Sequence, residues 1–186
     1  DSLILLLLLA LNTPELRSDP WNPVPRILRA VERVCGDSQL NLDKQEENGT
    51  LAQWMDFFGQ VLEGLAFLHE NGVVWDGFDT IEPRLCSTAA PSQWNFDRSR
   101  YPVKYYFTNF RRARQISPPV IATPASSPSS PFTKDVQSCG KWLEAVVNDI
   151  HPVHESLLPL TQAMVSGTFT ADGARKLFEA RARSLS

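Results

Sequence analysis

The stretch from Thr50 to Asp79 constrains the fold more than any other part of this chain. Its first part carries apolar residues at three- and four-residue spacing, which predicts a long amphipathic helix. These residues are Leu51, Trp54, Met55, Phe58, Val61, Leu62, Leu65 and Leu68. A helix of this length spans roughly 30 Å, enough to cross a small domain. Asn71-Gly72 is a natural helix stop, because glycine accepts the left-handed conformation that follows the last turn. The apolar run Val73-Val74-Trp75 then predicts a short strand that leads into a loop.

The end of this stretch resembles the approach to the catalytic loop of protein kinases. That family has Leu-His-x-x-x-Ile-Val-His-Arg-Asp, with an Asn five residues after the Asp. Here Leu68-His69 and Gly72-Val73-Val74 match the approach. The catalytic letters differ, because Trp75-Asp76-Gly77 stands in place of His-Arg-Asp and the Asn position falls on Glu82.

A second resemblance follows a predicted strand at residues 103–110, which is rich in aromatic and β-branched side chains. Kinases place Asp-Phe-Gly at the end of such a strand. The corresponding letters here are Asn109-Phe110-Arg111. The phenylalanine is retained, and both of its neighbours are changed.

A third resemblance lies in a helix predicted from Lys134 to Asn148 and capped by Thr133. Its opening is similar to the central helix of the kinase large lobe, with Asp135 and Gly140 at the matching positions. The resemblance implies that Asp135 braces the backbone of the catalytic loop. A carboxylate at the start of a helix is also favoured by the helix dipole, and the two roles are compatible.

Together the three segments indicate one mainly α (α+β) domain over residues 1–186, similar to a kinase large lobe with a few short strands. The small lobe would then be largely missing from this sequence. The apolar run from Leu3 to Leu11 is too short to span a bilayer, which takes about twenty residues. The resemblance favours a buried hinge strand for this run, and the alternative is a truncated signal sequence.

The segment from Ser117 to Pro131 is rich in Ser and Pro and occupies the activation-segment position of the resemblance. Its composition predicts a flexible, extended loop, because prolines remove backbone donors and clash within a helix. The Ser-Pro and Thr-Pro pairs in it are candidate phosphorylation sites, and such pairs are also common in loops by composition alone. The Ala-Pro-Glu motif that anchors this segment in kinases is absent from the sequence.

The differences from the kinase motifs at residues 75–77 and 109–111 concern phosphoryl transfer. That reaction depends on carboxylates that hold Mg²⁺ and orient the acceptor hydroxyl. Gly77 offers no side chain, and Asn109 offers one neutral oxygen where Mg²⁺ prefers a carboxylate. Arg111 puts a long cation where the family has glycine. Asp76 and Asp79 lie close by in the sequence and are the alternative candidates for a catalytic base.

The sequence therefore predicts a pseudokinase that acts through protein binding and needs no cofactor. The alternative is an active ATP- and Mg²⁺-dependent Ser/Thr kinase with Asp76 or Asp79 as base and Asn109 on the metal, and a third possibility is a gene product without a selected role. A net charge of −3 gives no signal for nucleic acid or membrane partners. Three widely spaced cysteines favour an intracellular protein with reduced thiols. His151 and His154 lack a third ligand, so no metal site is predicted.

Overall fold

The computed structural model describes residues 2–24, 51–80, 104–107, 110–116, 130–148 and 151–185. Within these ranges the chain is mainly helical, as the sequence predicts, and its two strands are short. The elements in chain order are α1 (Ser2–Ala10), α2 (Pro14–Ser18), α3 (Leu51–Glu70), β1 (Val73–Val74), a 3-10 turn (Phe78–Thr80), β2 (Arg114–Gln115), α4 (Pro131–Asn148), α5 (His151–Val165) and α6 (Ala171–Leu185).

Helix α3 is the centre of the molecule and confirms the helix predicted from the spacing of its apolar residues. Its buried set is wider than one stripe, since Phe57, Ala66 and Phe67 are buried beside the predicted face. A helix that is covered on most of its circumference is a core helix. The predicted stop is also confirmed, because Gly72 has a φ of +70° and its N–H donates to the carbonyl of His69.

Helices α4, α5 and α6 pack around α3 and complete a single hydrophobic core. Helices α4 and α5 approach each other closely at Gly140, where a Cβ would lie 2.8 Å from the Cβ of Met164. Helix α6 begins directly after Thr170, whose hydroxyl accepts the N–H of Gly173 at 3.0 Å. Helix α4 begins earlier than predicted, at Pro131, so Thr133 lies inside the helix and is buried rather than capping it.

The strand expected from Leu3 to Leu11 is wrong, because residues 2–10 form helix α1. Leucine is among the better helix formers, and Ile4 is the only β-branched residue in this run. An unbroken apolar run has no period by which a strand and a helix are distinguished. Only one side of α1 is buried, and Leu3 and Leu6 on the other side are exposed.

The strand expected at residues 103–110 is also wrong for the part that the structure describes. Residues 104–107 have no regular secondary structure, although the N–H of Phe107 donates to the carbonyl of Pro23 at 2.9 Å. The strands that do form are β1 and β2, which pair antiparallel with Val73 opposite Gln115. None of the helices in the described ranges combines the length and the apolar composition that crossing a bilayer requires.

Candidate functional site

The loop that follows β1 carries the three residues that replace His-Arg-Asp, and β2 holds it in place from one side. Val74 lies opposite Arg114 in the two-stranded ribbon, and the N–H of Ile116 donates to the carbonyl of Gly72 at 2.8 Å. Residues 110–116 are therefore fixed next to the loop. The structure brings together two segments that the resemblance also places side by side.

Asp135 on α4 fixes the backbone of the loop from the other side. One of its carboxylate oxygens accepts the N–H of Trp75 at 2.9 Å, and the other accepts the N–H of Asp76 at 3.0 Å. Asp135 is buried, and its side chain has no exposed surface. This is the contact that the resemblance implies for Asp135. Hydrogen bonds from backbone N–H groups to a buried carboxylate are among the stronger ones in proteins.

His69, in the last turn of α3, is a further partner of the same carboxylate. Its Nε2 lies 2.9 Å from Oδ2 of Asp135, and its ring packs edge-on against Phe132 at a centroid distance of 5.0 Å. One buried carboxylate thus ties together helix α3, the loop and helix α4. The role of His69 is not evident from the sequence, because its partner lies 66 residues away.

Burial also affects Cys139, which lies one helical turn after Asp135. The thiol is free and buried. Loss of water raises its pKa well above the usual value, and the negative charge of Asp135 raises the pKa further. The thiol therefore stays protonated and inert.

Trp75, which the resemblance to kinases aligns with a His, is buried, with 1% of its surface exposed. Its ring stacks on Phe107 at 4.6 Å and packs edge-on against Phe78 at 4.8 Å and Phe110 at 6.4 Å. Phe110, the retained phenylalanine of the second resemblance, is therefore part of the core beside the loop. A tryptophan surrounded by three rings has no room to move aside.

Gly77, at the position of the family's catalytic Asp, lies against the face of that tryptophan. A Cβ at this position would be 2.7 Å from Cε2 and Cζ2 of Trp75 and 2.8 Å from Cδ2. All three atoms belong to the rigid indole ring, and carbon atoms in contact need roughly 3.5 Å or more. With Trp75 in place, position 77 accepts no side chain.

Asp76 points out of the loop and is paired with two arginines. Its carboxylate lies 3.2 Å from a guanidinium nitrogen of Arg112 and 3.5 Å from one of Arg114. The backbone of Asp76 is in the left-handed region, with a φ of +52°, which is uncommon for a residue other than glycine. Asp76 is a candidate base by its place in the sequence, but its pairing with two arginines 36 and 38 residues away has no local signal in the sequence.

The remaining candidates are not brought together at one centre. Asp79 lies in the 3-10 turn after the loop and is exposed. Arg111 is exposed as well. Glu82 and Asn109 lie outside the described residues, and so do residues 117–129 of the Ser/Pro-rich segment.

The two positions at which the resemblance would hold Mg²⁺, Glu82 and Asn109, lie outside the described residues. In the part of the chain that the structure describes, no three His, Cys, Asp or Glu side chains lie close enough together to hold a metal ion. The carboxylate of Asp76 is already engaged by arginines, and position 77 has no side chain. Mg²⁺ is held in proteins by carboxylates and water with octahedral geometry.

Comparisons of this chain with protein-family models, with curated proteins and with solved structures find no match.

Proposed function

We propose that this chain is a kinase-like large lobe that has lost phosphoryl transfer and acts by binding other proteins inside the cell. The observation that carries the proposal is the contact between Gly77 and Trp75. A kinase orients the acceptor hydroxyl with an aspartate at this position. Here the indole of Trp75 fills the volume that the side chain of an aspartate would need.

The neighbouring acids support the same conclusion. Asp76 is bound to Arg112 and Arg114, so its carboxylate is already engaged by two side chains of the described chain. Asp79 is exposed to water, where a lone carboxylate is a weak general base.

The preserved scaffold supports the kinase-like part of the proposal. Asp135 braces the loop backbone, and the segments on either side of Trp75 and Phe110 lie next to each other. These contacts hold the shape of the loop without supplying a reactive group. A scaffold that keeps its architecture and lacks its acids is suited to presenting surfaces to other proteins.

The test is a measurement of nucleotide binding and phosphoryl transfer by the full chain. Thermal unfolding is followed with ATP alone and with ATP and Mg²⁺, and transfer of the γ-phosphate to a Ser/Thr-containing acceptor protein is measured in parallel. We expect no metal-dependent increase in the melting temperature and no transfer above the rate without protein.

The variants Asp76→Asn and Asp79→Asn test the alternative that the chain is an active kinase with one of these residues as its base. Mg²⁺-dependent transfer that one of them abolishes, with the fold retained, overturns the proposal. A matched control is Asp56→Asn, which changes an exposed carboxylate on α3 that is far from the loop in sequence.

A further inference from the structure

We infer that Arg112 and Arg114 form a docking site for an acidic segment of a partner protein, and that the carboxylate of Asp76 occupies the place of the partner's first carboxylate. The inference rests on the proposed protein-binding function and names a surface and a ligand chemistry for it. We call the two arginines together with Asp76 the Arg112–Arg114 site.

The Arg112–Arg114 site consists of two guanidinium groups turned towards one carboxylate. Nη2 of Arg112 lies 3.2 Å from one carboxylate oxygen of Asp76, and Nη1 of Arg114 lies 3.5 Å from the other. A guanidinium is planar and presents its N–H donors in a fork that matches the two oxygens of a carboxylate. The site therefore already binds, within the chain, the chemical group that we assign to its partner.

Both arginines have N–H donors beyond those directed at Asp76. A guanidinium carries five such donors. Within the part of the chain that the structure describes, Asp76 is the only partner of Arg112 and of Arg114. Their side chains are 48% and 55% exposed, so a group that arrives from solvent can reach them. The site has the capacity to bind a second carboxylate.

The ion pairs of Asp76 are of a kind that another anion can replace. The Asp76 side chain is 27% exposed, and both of its arginine partners are about half exposed. An ion pair with this much exposure is screened by water and salt and is only weakly favourable. Exchange of the Asp76 carboxylate for a carboxylate of the partner therefore costs little.

The backbone beneath the two arginines is held in place before a partner binds. Strand β2 pairs with β1, and the N–H of Ile116 donates to the carbonyl of Gly72 at 2.8 Å. In the turn before β2, the N–H of Ala113 donates to the carbonyl of Phe110 at 3.0 Å, and Phe110 is buried in the core. Binding to side chains on a fixed backbone avoids the entropy cost of ordering a loop.

The charge of the site and of the whole chain selects the class of partner. Two arginines and one aspartate leave the site with an excess of positive charge, and the adjacent Arg111 is exposed as well. The chain as a whole carries a net charge of −3. A long polyanion such as nucleic acid is repelled by this overall charge, whereas a short acidic segment interacts mainly within a Debye length of about 10 Å. The site therefore fits a protein segment with a few Asp or Glu side chains.

The experiment measures binding of a fluorescently labelled peptide of alternating Glu and Gly residues to the full chain at low salt. We expect saturable binding that weakens about threefold with Arg112→Gln or Arg114→Gln and about tenfold with both, because charge-assisted hydrogen bonds are lost. Asp76→Asn is expected to tighten binding about threefold, because the competing carboxylate loses its charge. Arg183→Gln, which removes an exposed arginine of α6, is the matched control and leaves the affinity unchanged.

Four outcomes overturn the inference. They are the absence of saturable binding, binding that the double arginine variant does not weaken, equal binding of a peptide with Gln in place of Glu, and an Asp76→Asn variant that binds no more tightly than the parent chain. A peptide with phosphoserine in place of Glu tests the assignment to carboxylates, and binding of this peptide more than about tenfold tighter overturns that assignment.

Two further measurements separate the possible causes of a negative result. Circular dichroism verifies the fold of each variant. Transfer of γ-phosphate is assayed on the same preparations, so that failure of the docking site and failure of the non-catalytic role appear in separate measurements.

Discussion

The loop at residues 75–77 has an inner and an outer face, and each face is organised by one aspartate. On the inner face the carboxylate of Asp135 has no exposed surface and accepts two backbone N–H groups. On the outer face the carboxylate of Asp76 has 27% of its side chain exposed and meets two arginines that are about half exposed. Both carboxylates contribute to the same loop conformation, Asp76 from within the loop and Asp135 from helix α4. One is buried and the other is partly exposed to water.

The two environments indicate which of the two carboxylates stabilises the conformation of the loop more strongly. A buried carboxylate that accepts backbone donors leaves those donors unsatisfied when it is removed, and each such group costs about 1–3 kcal/mol. An exposed ion pair is screened by water and salt and contributes about 0–1 kcal/mol. We therefore expect Asp135, on the inner face, to stabilise the loop conformation more than the ion pairs of Asp76 on the outer face.

The largest effect is expected from removal of Asp135. Asp135→Ala removes the acceptor of the N–H groups of Trp75 and Asp76 and also the partner of His69. We therefore expect the free energy of unfolding to fall by roughly 3–5 kcal/mol. Urea unfolding measures the change. Asp135→Asn keeps one acceptor oxygen and serves as the control with a smaller loss. A loss below 1 kcal/mol for Asp135→Ala would mean that the inner face does not hold the loop.

The next prediction concerns Cys139 on the inner face. Its buried thiol has a raised pKa, so the reactive thiolate stays scarce even in mildly alkaline solution. We expect alkylation of Cys139 in the folded chain to be about a hundredfold slower than in urea, which corresponds to about 2.7 kcal/mol. Mass spectrometry of the alkylated peptides follows this residue separately. Equal rates in the folded and unfolded chain would contradict the burial of this thiol.

A smaller effect is expected at Gly77. Gly77→Ala places a methyl group against the indole of Trp75, and overpacking of this kind costs about 1–3 kcal/mol. The measurement is again urea unfolding. In the background of Trp75→His, which gives up the large ring, the same Gly77→Ala substitution is expected to cost less. Identical costs in both backgrounds would show that the two positions are not coupled.

The smallest effect is expected on the outer face. Asp76→Asn removes the ion pairs with Arg112 and Arg114, and we expect a change within about 0.5 kcal/mol that becomes smaller as salt is added. The comparison with Asp135→Asn, measured in the same buffer series, is the control. A change at Asp76 as large as the one at Asp135 would remove the distinction between the two faces.

The helices were predictable from the sequence where their apolar residues had a period. Helix α3 follows the spacing of its leucines and aromatic residues, and the helix predicted from Lys134 to Asn148 forms as α4 with an earlier start. The run from Leu3 to Leu11 was wrongly predicted as a strand, because an unbroken apolar run has no period. The segment at 104–107 was wrongly predicted as a strand, because an aromatic composition does not by itself supply a partner strand. Asp135 was placed at the loop by resemblance to kinases, and the identity of that family for this chain stays a prediction.

The amino-acid pattern was sufficient to predict the long central helix, because helix formation depends on neighbours three and four residues away. The contacts of the residues in the loop at 75–77 were not predictable from that pattern. The contact of Gly77 with the face of Trp75, the pairing of Asp76 with Arg112 and Arg114, and the reach of Asp135 to a loop 60 residues away depend on how the chain packs in space. Distances between residues so far apart in sequence are set by the packing of the whole core.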